Sequence, residues 1–154
     1  MKIFVGYDHR GVKMAYKLIE KLVDDGHEVN EPFDANSEND DYPVIAKAVC
    51  EKVLGTKGSV GLLICGTGIG MAMAANRFNG IRAVLSQSEA DAYFARRHED
   101  ANVLVLAAGY GDGVKEVTSC NRKAARMVNV FLSTDFEGGR HVKRVSLLDN
   151  VSKK

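Results

Sequence analysis

Two rhythms of apolar residues alternate along the chain. In one, apolar residues run together. Lys2 to Tyr7, Val60 to Cys65 and Val103 to Ala107 read as strands buried on both faces, with His27 to Phe33 and Ile81 to Leu85 as two more. In the other rhythm they recur every three or four positions. Met14, Leu18, Leu22 and Val23 mark a first helix that stops at Asp25-Gly26. A polar loop, A-N-S-E-N-D-D, precedes Tyr42-Pro43, which opens a second helix through about Leu54. Met71 to Phe78 is a third, and Ser88 caps a fourth through Arg97. Val114 to Leu132 gives a fifth and Gly139 to Asp149 a sixth, with Val142, Val145 and Leu148 on one side.

This alternation predicts an α/β fold in one domain over residues 1–154: a five-stranded parallel sheet with helices on both faces and a flexible tail from about residue 150. Ligands of such sheets bind at the carboxyl ends of the strands, near the point where strand order reverses. Two segments fall at that edge: Asp8-His9 after the first strand, and the loop that ends G-L-L-I-C-G-T-G-I-G, Gly61 to Gly70. No internal repeat, linker or low-complexity tract interrupts the pattern.

With 154 residues, 45 % of them apolar and 27 % charged, the chain has the make-up of a soluble globular protein with its own core. A net charge of +1 argues against a nucleic-acid binder, which would carry a basic face. No apolar run approaches the ~20 residues that span a bilayer. The N-terminal M-K-I-F-V-G-Y-D-H reads as a strand and has no signal-peptide layout, so a cytoplasmic protein is expected. Three cysteines, Cys50, Cys65 and Cys120, are odd in number and lack a Cys-x-x-Cys pair, so neither a disulfide framework nor a zinc site is expected.

The chemistry concentrates in the loop Gly66, Thr67, Gly68, Ile69 and Gly70. A buried strand that ends in such a loop and opens a helix aims several backbone N–H groups into one small space, where they suit a phosphate or a developing oxyanion. The plainer reading is a tight turn whose glycines serve packing alone. A nicotinamide site fits poorly: Met71 stands where the fingerprint needs its third glycine, and Ser86-Gln87 where it needs an acidic residue. A P-loop fails as well, since no Gly-Lys-Ser/Thr follows. Cys65 at the lip is either a small core residue or a thiolate that serves as nucleophile or base. Cys50 and Cys120 lie within helix patterns and read as structural.

Asp8 could accept hydrogen bonds from sugar hydroxyls and His9 could pair with a phosphate; the bland alternative is a capping aspartate beside a solvated histidine. His98, in A-R-R-H-E-D-A-N, reads as a loop histidine that is a general acid or merely surface, with Arg96 and Arg97 solvated beside it. Arg140 and Arg144, spaced i, i+4, either present two guanidinium groups to a phosphate or line a solvated face. They follow the hinge F-E-G-G-R-H, so the last helix is an arm that lies in solvent or reaches across to a second subunit.

Taken together, the segments resemble the B-type ribose-5-phosphate isomerases over nearly the whole chain. The resemblance is carried by G-Y-D-H-R-G, D-Y-P at Asp41 to Pro43, L-L-I-C-G-T-G-I-G-M, A-A-N-R-F-N-G-I-R-A, R-H-E-D-A-N-V-L and F-E-G-G-R-H-V-K-R-V, in the right order and at the right separations. It implies a Rossmann-like three-layer sandwich that interconverts ribose 5-phosphate and ribulose 5-phosphate with no cofactor and no metal. Cys65 would move the proton between the first two carbons, assisted by Thr67, while the Gly66 to Gly70 amides stabilise the enediolate and His98 helps open the furanose ring. Asp8 and Tyr42 would contact sugar hydroxyls, and His9, Arg140 and Arg144 the phosphate. The site would be shared across a homodimer, His98, Arg140 and Arg144 coming from the subunit that faces Cys65; pairing of dimers into a tetramer stays open.

Two positions depart from the family pattern. Glu99 follows the ring-opening histidine where asparagine is usual, and Gly109 stands after the fifth strand where an arginine usually contacts phosphate. Both make the substrate site less positive, with Lys115 or Arg122 as candidates to compensate. Alternatives are therefore an isomerase of galactose 6-phosphate, allose 6-phosphate or an unphosphorylated sugar, or a sugar-phosphate-binding protein without catalysis.

Overall fold

The computed structural model describes residues 1–32, 41–109 and 118–151. Phe33, most of the polar loop before Tyr42, Lys115, the expected start of the fifth helix before Thr118 and the last three residues of the expected tail lie outside them, as does the side chain of Cys120.

Five strands and six helices alternate in the described residues: β1 (Lys2–Tyr7), α1 (Val12–Asp24), β2 (Glu28–Asn30), α2 (Tyr42–Gly55), β3 (Val60–Cys65), α3 (Ile69–Ala75), β4 (Ala83–Leu85), α4 (Glu89–Glu99), β5 (Val103–Ala107), α5 (Thr118–Ser133) and α6 (Arg140–Leu148). All the pairings are parallel, in the order β2-β1-β3-β5-β4. Each crossover must be right-handed, so the first and fourth helices lie on one face and the second and third on the other. The two cores follow that division. Met14, Leu18, Leu22, Ala92, Met127 and Phe131 pack with Ile3, Val5, Leu62, Ile64 and Leu104 on one side of the sheet. Ile45, Val49, Val53, Met71 and Ala75 pack with Phe4, Leu63, Val103 and Val105 on the other. Residues facing alternate sides of β1, β3 and β5 are buried on both, which is why these strands read as unbroken apolar runs.

The edge strands are shorter than the apolar pattern suggested. β4 begins at Ala83 rather than Ile81, and there Asn76 takes up its outer edge: Ala83 N donates to Asn76 Oδ1 and Asn76 Nδ2 to Ala83 O, each at 2.9 Å. An amide side chain thereby blunts an edge that would otherwise be open to pairing.

α4 is closed at both ends by side chains. Ser88 Oγ accepts from Asp91 N at 3.1 Å while Asp91 Oδ2 accepts from Gln87 N at 2.9 Å, a reciprocal N-terminal cap. At the other end Asp100 takes a left-handed conformation, φ 46°, with its carboxylate held by Arg82 and Arg96 at 3.0 Å each. Arg96 and Arg97 are therefore not the solvated charges the sequence suggested. Arg96 also donates to Ala101 O at 2.6 Å, and Arg97 binds Glu137 at 2.7 Å. Together with Glu137 N donating to Arg97 O at 2.9 Å, these bonds moor the segment before α6 to the end of α4.

Candidate active site

β1 and β3 are neighbours, and the chain leaves them in opposite directions across the sheet, so their carboxyl ends flank the point where strand order reverses. Asp8 follows β1 there and is 8 % exposed. Its Oδ1 accepts from Arg10 N at 2.9 Å and Gly11 N at 3.1 Å, a turn that also fixes the chain as it enters α1. His9 and Arg10 are exposed on that turn.

Cys65 ends β3, 5 % exposed. Its Sγ accepts from Gly68 N at 3.1 Å, and Thr67 Oγ1 accepts from Ile69 N at 3.1 Å. The loop thus curls the Gly68 amide back onto the thiol. Gly68 makes that curl possible: φ is 74°, and a Cβ there would stand 2.3 Å from Leu85 Cδ1. The Tyr42 ring lies against Gly70, where an added Cβ would meet Cε2 at 2.6 Å. Beyond β5, Ala108 N donates to Cys65 O at 2.8 Å and Gly109 N to Gly66 O at 2.9 Å, so residues 108–109 form the loop's other wall. Asp8, Cys65, Gly66, Thr67, Gly68, Ile69, Gly70 and Tyr42 therefore gather at one edge, with Ile69 exposed on the outer face of α3. Gly109 has φ 94°, a conformation that favours glycine over an arginine.

His98 is not on a loop. It sits in the last turn of α4, half-buried, with its ring stacked on that of His141 at 4.3 Å and 7° and tilted against Phe94 at 5.1 Å. His141, in the first turn of α6, is 3 % exposed, and its Nδ1 is buried without a partner among the described residues. Burial, then the charges of His98, Arg140 and Arg144, hold its pKa below the ordinary value, against a smaller opposing pull from Glu137. His98, Glu137 and His141 lie within 4.8 Å of one another. Face-to-face rings keep their nitrogen lone pairs in parallel planes, however, which do not converge on one ion. Arg140 and Arg144 are exposed on α6, as is Glu99 at the end of α4. The buried face of α6 is His141 with Val145; Val142 and Leu148, expected beside Val145, are exposed. His141 and Glu137 were not singled out in the sequence, where only the G-G-R-H run marks the place.

The two groups lie at opposite edges of the sheet. Cys65 is in register with Ala107 at the end of β5, and Gly61 with Val103 at its start. The chain passes His98 before it enters that start, roughly 13 Å back along the strand at about 3.3 Å per residue. A cavity of about 700 Å³ lies on the His98 side, between β4 and the end of α6, lined by Arg77, Arg82, Glu99, Leu148 and Val151 among others.

The sequence pattern described as Ribose/Galactose Isomerase matches residues 3–148. Ribose-5-phosphate isomerase B of Escherichia coli (strain K12) is 37 % identical over 153 residues, covering 99 % of this chain and 97 % of that protein. Among solved structures, ribose-5-phosphate isomerase B from Mycoplasma genitalium with bound ribulose-5-phosphate matches with TM-score 0.86 and 35 % identity over 99 % of this chain and 97 % of that one. The Clostridium thermocellum enzyme of the same name matches with TM-score 0.87 and 34 % identity, over 99 % and 98 % of the two chains. No described helix is long and apolar enough to cross a membrane. By fold, by site-edge residues and by these matches, the chain belongs to the ribose/galactose isomerase family.

Proposed function

We propose that the protein interconverts D-ribose 5-phosphate and D-ribulose 5-phosphate in a homodimer that builds each site from two copies, with no metal or cofactor. The observation that carries this reading is the cradle at Cys65: a thiol at the ligand edge of the sheet, with the Gly68 N–H 3.1 Å from its sulfur. It is supported by the E. coli relative and by the M. genitalium structure, whose ligand is a pentulose phosphate.

The chemistry is a 1,2-hydrogen shift. His98 of the facing copy protonates the ring oxygen while the anomeric hydroxyl gives its proton to solvent, and the furanose opens to the free aldehyde. Cys65, as thiolate, takes the proton from C2, and the electron pair moves onto the aldehyde oxygen to give an enediolate. Amides of Gly66 to Gly70 stabilise that oxyanion. Because Thr67 Oγ1 already accepts from Ile69 N, its own O–H is available to donate to the enediolate while a proton passes between the two oxygens. The Cys65 thiol then returns its proton to C1, leaving the ketone at C2. Asp8 and Tyr42 hold sugar hydroxyls, and His9 with the facing Arg140 and Arg144 holds the phosphate.

Two features support the dimer. The half-sites lie at opposite sheet edges, and apolar side chains on the helices beside them, Met73 (60 % exposed) and Leu147 (62 %), await cover. Glu99, beside His98, favours one second reading, a different or less highly charged sugar as substrate. Purified protein with ribose 5-phosphate and a chelator tests the proposal: steady formation of ribulose 5-phosphate is expected. A folded sample that forms none, while exchanging solvent hydrogen into another sugar phosphate, moves the assignment to that sugar. A sample that binds sugar phosphates without any exchange is a binding protein, not an isomerase.

A further inference from the structure

We infer that Arg10 supplies a guanidinium to the substrate's phosphomonoester from the same copy as Cys65. The inference rests on the sugar-phosphate reading above and adds to it a binding residue that the sequence did not single out.

The turn that seats Asp8 fixes where Arg10 begins, because Arg10 N is one of the two amides bound to Asp8 Oδ1. From there its side chain crosses the glycine loop. A Cβ built on Gly66 would stand 2.8 Å from Arg10 Cδ and 3.8 Å from Arg10 Nε, with the Gly109 carbonyl 3.7 Å away. The arginine stem therefore fills the space that a side chain at residue 66 would take. Its Nε and the Gly109 carbonyl both lie within 4 Å of that point, which sets the root of the guanidinium beside the glycine loop.

Several arginines elsewhere in the chain are neutralised, and Arg10 is not among them. Arg82, Arg96, Arg97 and Arg126 are each bound to a carboxylate at 3.0 Å or less. Arg10 is exposed and has no ion pair among the described residues. The acid closest to it along the chain, Asp8, spends its Oδ1 on backbone amides. An unneutralised guanidinium beside the glycine loop is set to receive a dianion, and its planar fork suits two phosphate oxygens at once. Gly109 itself offers no substitute, since its φ of 94° suits glycine and strains a longer side chain.

Steady-state kinetics with ribose 5-phosphate, run beside calorimetric titration with inorganic phosphate, tests this on wild type, Arg10→Gln and Arg10→Lys. Arg10→Gln is expected to raise KM and weaken phosphate binding by about ten- to a hundredfold, as for loss of a charged hydrogen bond, with a smaller change in kcat. Arg10→Lys, which keeps the charge and loses the fork, should fall between. Phosphate affinity and KM equal to wild type in Arg10→Gln would overturn the inference while leaving the isomerase reading intact. Phosphate binding that depends on Arg10 in a wild-type protein that turns over no sugar phosphate would uphold the inference and sink the isomerase reading instead.

Discussion

Cys65 and Cys50 are both buried thiols, and they sit in different surroundings. Cys50 sits among the apolar contacts of α2, where burial, with a smaller contribution from Glu51, pushes its thiol up to about 12, so it stays protonated. Cys65 ends a strand at the ligand edge and faces a backbone donor. Replacing Cys65 by alanine should lower kcat by about 10²- to 10⁴-fold, the usual worth of a positioned base, with the melting temperature little changed. Wild-type turnover by that variant would remove Cys65 from the base role. At this scale the sequence was informative because glycine, cysteine and threonine act through local backbone geometry. Gly68 must be glycine to reach φ 74°, and that demand is visible as a G-T-G-I-G run. Arg10 was not legible, since nothing in D-H-R-G says that the arginine stem will cross to Gly66.

The proposed second half-site lies on α4 and α6, and their junction depends on charges and rings more than on apolar periodicity. The sequence put α4 within two residues of its observed end and missed that His98 belongs to its last turn. It also gave α6 an apolar side of which only Val145 is buried. The contact it could not foresee is the stack of His98 on His141, beside the mooring of Arg97 to Glu137. That stack has a pH signature. The folded state holds the pKa of His141 below the unfolded value of about 6.5, so the unfolded chain takes up a proton that the folded chain refuses. Stability from this group is present above pH about 6.5 and is lost as pH falls below it. Denaturant midpoints measured from pH 7.5 to 5.5 should decline in wild type and decline less in His141→Gln. Equal slopes in the two proteins would mean that His141 takes up protons freely in the folded state.

The sheet sets the whole arrangement. Alternation of strands and helices was enough to read a parallel α/β sheet and its ligand edge, because both follow from apolar runs and crossover handedness. Strand order was not legible: β5 inserts between β3 and β4, and nothing local to either strand records that. This insertion lines Cys65 up with Ala107 and leaves His98, with Arg140 beyond it, at the far edge. One chain keeps Cys65 and His98 apart, and under the proposed function two chains bring them together. The direct test mixes Cys65→Ala with His98→Asn, each expected to be nearly inactive alone, by refolding them together in equal amounts. Half of the dimers would be hybrids with one intact site, so activity should recover to roughly a quarter of the wild-type value in a two-fold symmetric dimer. Recovery would establish that Cys65 and His98 act across the interface. A mixture no more active than its two parents would contradict a shared site.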